Sequence, residues 1–310
     1  MKIFSSELCL SHEVPAGFPE APQRLRGIRE RLVADGHDLV DVGARDELWV
    51  DRVHRLHDER YVQRFRNAVD RGDELFDSSD TPLSPGTWIA ATTAVQAGLD
   101  AVDAVFGGAA PRSFVAARPP GHHAERDLAM GFCYFNTLAI AAQYAQDAYG
   151  VERIAIYDFD VHHGNGTQHL FEERSDIFFA SVHQYPFYPG TGAATERGKG
   201  IGEGTTVNIP LSAGSGDEAY AEAIEAKIYP AIEAFSPDVL FVSAGFDAWQ
   251  NDPLGGQRIT EQAFRTWGSQ IRDIAERHSN GKIISVLEGG YDLDALPNLV
   301  AAYLDGIEGT

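Results

Sequence analysis

Short apolar, β-branched runs alternate along this chain with longer stretches in which apolar residues recur every three or four positions. The runs at 114–117, 153–159, 177–183, Thr206–Leu211, Val239–Ala244 and 282–287 predict strands. Between them, 90–106, Thr137–Tyr149, 217–235 and Glu261–His278 predict helices, with a last one near 293–304. Strands separated by helices pair in parallel through right-handed crossovers, in a sheet covered on both faces. No internal repeat, low-complexity tract or Ser/Pro linker breaks the pattern. Residues 1–310 are therefore expected to form one α/β domain with a mostly parallel central sheet sandwiched by helices.

The polar residues cluster where these strands end. The first run leads into Arg118-Pro119-Pro120-Gly121-His122-His123, and the second into Asp160-Val161-His162-His163-Gly164. Val239–Ala244 leads to Gly245-Phe246-Asp247, and 282–287 leads to Glu288-Gly289-Gly290-Tyr291. Open parallel sheets bind ligands beyond the carboxyl ends of their strands. Four strand ends are thus expected to deliver His, Asp and Tyr side chains to one edge.

Side chains alternate with period two along a strand, so Asp158, Asp160 and His162 are expected to share a face. With Asp247 from another strand end, Asp160 and His162 supply two carboxylates and an imidazole. Three protein ligands with an open position form the pattern of a catalytic zinc site, and the same donors accept Fe(II), Co(II) or Mn(II). The alternative is a buried hydrogen-bond network without a metal. His122 and His123, exposed by a Pro-Pro-Gly turn, suit acid–base work on water. Tyr291 follows two glycines that let the backbone bend close to a ligand, and its hydroxyl suits donation to a developing oxyanion.

Composition narrows the context. Cys9 and Cys133 are the only cysteines, which excludes a disulfide framework or a cysteine-rich metal site and leads us to expect a cytoplasmic setting. The start of the chain lacks a secretory pattern, and no uninterrupted apolar stretch approaches a membrane span, so no membrane association is expected. A formal net charge of −21 without a basic patch argues against nucleic acid. It reads as solubility, with attraction of cationic substrates as the functional alternative. The glycine-rich stretch 190–204 lacks the Gly-Lys-Ser/Thr ending of a phosphate-binding loop and reads as a surface loop. Oligomeric state is not legible, and a homo-oligomer stays open.

Five stretches together resemble the histone deacetylase family, with its arginase/deacetylase fold. They are RPPGHHAERDLAMGFCYFN (118–136), IAIYDFDVHHGNGTQHLF (154–171), FFASVHQYPFYPGTG (178–192), SAGFDAWQNDPLGG (243–256) and LEGGYDL (287–293). Asn165 and the Asp-Pro-Leu-Gly at 252–255 look like the class II branch and its bacterial relatives. The resemblance implies a sheet of about eight strands and zinc-dependent removal of acetyl or another small acyl group from an amine such as the lysine side chain.

Residue by residue, it implies that Asp160, His162 and Asp247 hold zinc. His123 matches the general base and acid, and His122 its electrostatic partner. Asp158 and Asn165 match their hydrogen-bonding partners, and Tyr291 the oxyanion donor. Phe132 and Tyr188 match the aromatic walls of an acyl-lysine tunnel, with Gly131 beside one of them, and Asp80 matches a rim residue that holds the substrate backbone. Asp158, Ser181 and Val182, with the backbone of Asp160 and His162, resemble a family site for potassium.

The chain departs from the family pattern at Phe18, where histidine is frequent, and Trp249 stands near the same rim. Leu254 stands where acetylpolyamine-preferring relatives carry a carboxylate, which favours an acyl-lysine peptide or a small uncharged acylamide as substrate. The rival readings are an acetylpolyamine amidohydrolase, an arginase-like two-manganese ureohydrolase and a non-catalytic acyl-lysine binding module.

Overall fold

The computed structural model describes residues 1–43 and 50–310. Its centre is one eight-stranded sheet in which every pairing is parallel. Among the described residues the strands are, in chain order, β1 (Lys2–Ser5), β2 (Leu39–Asp41), β3 (Leu75–Phe76), β4 (Ser78–Pro82), β5 (Arg112–Ala116), β6 (Ile154–Asp158), β7 (Ile177–Gln184), β8 (Thr206–Leu211), β9 (Val239–Ala244) and β10 (Ile283–Leu287). The sheet runs β2-β1-β5-β10-β9-β6-β7-β8, and β3 with β4 forms a separate antiparallel pair. The connection from β5 to β6 crosses two places that β10 and β9 later fill. That reversal of strand order opens a crevice above the middle of the sheet.

Strands β6, β7, β9 and β10 are buried along their whole length, as continuous apolar runs covered on both faces must be. Two helix groups provide the cover. One pairs α4 (Thr87–Phe106) with α5 (Thr137–Tyr149); the other joins α1 (Pro22–Ala34), α9 (Glu261–His278) and α10 (Leu296–Glu308), while α2 (Val50–Val53), α3 (Glu59–Arg71) and α6 (Asn165–Phe171) are shorter or more peripheral to this pairing. The Asn136 side chain caps α5 by accepting from Ala139 N–H at 3.0 Å, and Gly150 ends it in a left-handed conformation. Helix α4 has the length and hydropathy of a membrane span, but 72% of that window is buried in the protein, as in a core helix.

Four elements coincide with the sequence prediction, and the other predicted elements shift by a few residues at their ends. The stretch 217–235 departs from it. It is broken into α7 (Asp217–Ala223), a π turn over Ile224–Ile228 and α8 (Tyr229–Phe235). Pro230 has no N–H to continue the α-helical ladder and clashes with the preceding turn, so the backbone widens there. The stretch 190–204 is a loop apart from a 3₁₀ turn at Gly200–Gly202, as expected. Both cysteines are free and buried.

Burial pushes the imidazoles of His12, His57 and His183 down to about 4, from an ordinary value of 6.5. The unfolded chain therefore takes up protons between these values that the folded chain refuses. Stability from this source is complete above pH 6.5 and drains away as pH falls towards 4. Histidine-resolved NMR titration is expected to show these three rings still neutral below pH 6.5 and protonating only towards pH 4, and a ring that titrates at the ordinary value would contradict its burial as a neutral species.

Candidate active site

The carboxyl ends of β5, β6, β9 and β10 converge as the sequence predicts. β6 stops at Asp158, so Asp160 and His162 lie in the bend beyond it and reach their common face through irregular backbone rather than strand alternation. Asp160, His162 and Asp247 are buried, and their ligand atoms lie within 4.8 Å of one another. His162 Nδ1 is 3.1 Å from both Asp160 Oδ1 and Asp247 Oδ2.

Backbone amides fix the carboxylates. Gly289 N–H donates to Asp160 Oδ2 at 2.8 Å, Val161 N–H to Asp247 Oδ1 at 2.8 Å, and Asp160 N–H to Asp158 Oδ1 at 3.0 Å. A Cβ on Gly289 would meet Asp247 Oδ2 at 2.2 Å and Asp160 Oδ2 at 2.6 Å; one on Gly245 would meet Asp160 Oδ2 at 2.1 Å. These glycines let bare backbone cradle the acids.

The electrostatics of the cluster call for a cation. Burial and repulsion from Asp160 push the Asp247 carboxyl up to about 7. Burial opposes charge on the His162 ring, yet its contacts with Asp160 and Asp247 raise it to about 9. Hard oxygen donors and one imidazole that jointly attract positive charge fit a divalent metal ion.

The tandem histidines divide. His122 Nδ1–H donates to Asp158 Oδ2 at 3.0 Å. Burial works against its charge, but Asp160 and Asp158 override that and raise it to about 10. His123 Nδ1–H donates to the neutral Asn165 Oδ1 at 2.7 Å. Burial and the nearby His122 and His162 hold its pKa well below the ordinary value. One ring is cationic and the other is a neutral acceptor. Tyr291 is buried, which keeps its phenol protonated.

Above the cluster opens a cavity of about 200 Å³. His123, His162 and Tyr291 meet it, as do all five expected wall and rim residues: Asp80, Gly131, Phe132, Tyr188 and Leu254. Gly131 and Phe132 both have left-handed backbone, at φ 57° and 67°. For Phe132 this is an unfavourable conformation, and it presents the ring to the cavity. That ring stands edge-on to Tyr291 at 5.7 Å and to Phe18 at 5.1 Å, so the departure at Phe18 does reach the rim. Tyr188 stands edge-on to His123 at 5.2 Å. Asp80 Oδ2 accepts from Gly131 N–H at 3.1 Å and from the Tyr188 hydroxyl at 3.0 Å, tying one wall to the other. Strand pairing sets Ser181 beside Asp158, two of the residues expected around potassium.

Several contributors were not assigned roles from sequence. Phe187 stacks on His162 at 5.2 Å. Glu288 Oε2 accepts from Gly121 N–H at 2.7 Å and His122 N–H at 3.1 Å, holding the histidine turn. Asp252 accepts from Tyr291 N–H at 2.7 Å and Leu254 N–H at 2.9 Å. Arg24 donates to Gly290 O at 2.6 Å and lies 4.8 Å from the Tyr291 ring centroid. Glu288, an acid closing the apolar run 282–287, carried an available signal, since such a group is buried only with partners; Arg24 and Asp252 lie in polar stretches that give none.

Residues 18–307 match the model of the histone deacetylase domain. The chain belongs to the histone deacetylase family. It is 34% identical to the histone deacetylase-like amidohydrolase of Pseudomonas aeruginosa, over 99% of this chain and 85% of that protein. It is 37% identical to histone deacetylase 14, chloroplastic, of Arabidopsis thaliana, over 96% and 74%. The crystal structure of the HDA15 HD domain superposes with a TM-score of 0.90 at 37% identity, covering 100% of this chain and 91% of that one. The fold is thus the arginase/deacetylase architecture, and the chain is a hydrolase of the deacetylase class.

Gly289→Ala is expected to lower affinity for a divalent ion by about 10–100-fold, the scale of disturbing the groups that orient a ligand, because its methyl would displace both carboxylates. Titration calorimetry with zinc measures this, and wild-type affinity would contradict the cradle.

Proposed function

We propose that this protein hydrolyses the amide between a small acyl group, acetyl foremost, and an amine such as the lysine side chain, using zinc held by Asp160, His162 and Asp247. One observation carries the reading: a cation-seeking cluster, a neutral histidine and a protonated tyrosine meet at one cavity between aromatic rings. Zinc bound there supplies Lewis acidity towards an acyl carbonyl and makes water more acidic.

The remaining work falls to the chain. Phe132 and Tyr188 flank a path suited to a slender acyl-lysine stem and keep bulk water from the reacting amide. His123 accepts a proton at Nε2 from the attacking water while Nδ1–H stays on Asn165. The Tyr291 hydroxyl donates to the carbonyl oxygen as that oxygen gains charge. His122, cationic against Asp158, adds positive potential without giving up its proton. His123 then passes its proton to the departing nitrogen, the C–N bond breaks, and carboxylate and free amine result. A potassium ion beside Asp158, Asp160, His162, Ser181 and Val182 belongs to the same reading.

The apolar Leu254 in the cavity wall leaves a polycation without an anchor there, which favours acyl-lysine over acetylpolyamine. Comparing kcat/KM for an acetyl-lysine peptide and acetylspermidine tests this; a large preference for the polyamine would reverse the assignment.

Two substitutions test the chemistry. Asp247→Ala is expected to abolish both zinc stoichiometry, by elemental analysis, and turnover; retained zinc would refute the ligand set. Tyr291→Phe is expected to keep zinc and lower kcat by roughly 10²–10³. A near-wild-type rate would remove Tyr291 from the mechanism.

A further inference from the structure

An asparagine beside a catalytic histidine has an ambiguity that an aspartate lacks. Turned one way, its oxygen accepts from Nδ1–H and leaves Nε2 bare to take a proton. Turned the other way, its NH₂ donates to Nδ1, the ring proton moves to Nε2, and the histidine is no base. Something must select the turn for Asn165.

The group placed to do so is Glu125. Asn165 Nδ2 donates to Glu125 Oε1 at 2.6 Å, and lies 3.4 Å from both His123 O and Met130 Sδ. The short contact is to the carboxylate. A flipped amide would turn its oxygen onto that charge, so Glu125 penalises the wrong orientation as well as rewarding the right one.

Glu125 is itself held from three sides. His57 Nδ1–H donates to its carbonyl at 2.8 Å, and the tautomer of His57 is fixed because its Nε2 accepts from Asn136 N–H at 3.0 Å. Glu125 N–H donates to Leu128 O at 3.0 Å. At its head, His169 Nδ1–H donates to Oε1 at 2.8 Å. The His169 side chain is 36% exposed and Glu125's 18%, so the chain of contacts runs from His123 through Asn165 and Glu125 to the surface.

We propose that Glu125, steadied by His169, is a positioning residue: it fixes the orientation of the Asn165 amide and thereby the Nδ1–H tautomer that leaves His123 Nε2 able to accept a proton. This rests on His123 being the base of the reaction above. Glu125 touches neither cavity nor metal cluster and acts only through Asn165.

Glu125→Gln isolates the effect, because glutamine keeps the volume and can satisfy Asn165 in either orientation. The decisive readout needs no substrate. Long-range ¹H–¹⁵N spectra of zinc-loaded, ¹⁵N-histidine-labelled protein report the tautomer of His123, assigned by the signal missing in His123→Ala. The wild type is expected to carry its proton on Nδ1, and Glu125→Gln to populate the Nε2–H form.

Kinetically, Glu125→Gln and Glu125→Ala are both expected to lower kcat on an acetyl-lysine peptide by about tenfold, the scale of one charge-assisted hydrogen bond, with KM unchanged. Adding Asn165→Asp to Glu125→Gln is expected to recover much of the loss, since a carboxylate accepts from either arm. A packing role for Glu125 predicts instead that glutamine behaves as wild type and that the double variant is worse than either single one.

An unchanged tautomer in Glu125→Gln, or a wild type already protonated on Nε2, would overturn the proposal. A tautomer that responds to residue 125 in a protein that hydrolyses no acylated amine would support the positioning role and overturn the function instead.

Discussion

Three aspartates buried at the carboxyl ends of two adjacent strands are the constraint around which this site is organised. Asp158, Asp160 and Asp247 are each fully buried. Removing carboxylates from water is expensive unless positive charge and hydrogen bonds offset the loss. The molecule answers in two ways: backbone amides point at the oxygens, and His122 and His162 are driven towards their cationic forms. A divalent ion, as proposed above, would be the fuller answer, while the tuning of the flanking histidines follows from the carboxylates themselves. The positive charge that settles on His122 is part of what keeps His123 neutral.

The surroundings are rigid for the same reason. Glu20 receives both Arg24 and Arg118, with Arg118 Nε and Nη2 2.9 and 2.8 Å from its two oxygens. Through Arg24 that buried knot grips the backbone of Glu288 and Gly290, on which Tyr291 is carried. Asp252 holds Tyr291 from the other side. The tyrosine hydroxyl is thus placed by a network that starts near the amino terminus, more than two hundred and fifty residues away in the chain. Such preorganisation is what lets one hydrogen bond contribute strongly to a developing oxyanion.

Much of this was legible in the sequence because strand ends are chemically conspicuous. An apolar run that stops at Asp158, Asp247 or Glu288 declares both its strand and its polar edge, and the central sheet and metal cluster followed from that pattern. Less was legible where the signal is short or distant. β1 has four residues and β2 three, too few to show a period. The π turn before Pro230 interrupts a pattern that otherwise reads as one helix. The link from Asp80 to Gly131 and Tyr188 joins strand β4 to two loops, and no local spacing announces it. Glu125 stood in plain view within a recognised motif, but its bond to Asn165 depends on a loop meeting the first residue of the helix Asn165–Phe171 in space.

Diffraction from crystals grown with zinc, recorded on both sides of the zinc absorption edge, tests the central claim most directly. A single anomalous peak bounded by Asp160, His162 and Asp247 is the predicted result. No peak at that position, or a pair of metal ions bridged by these carboxylates, would contradict the account.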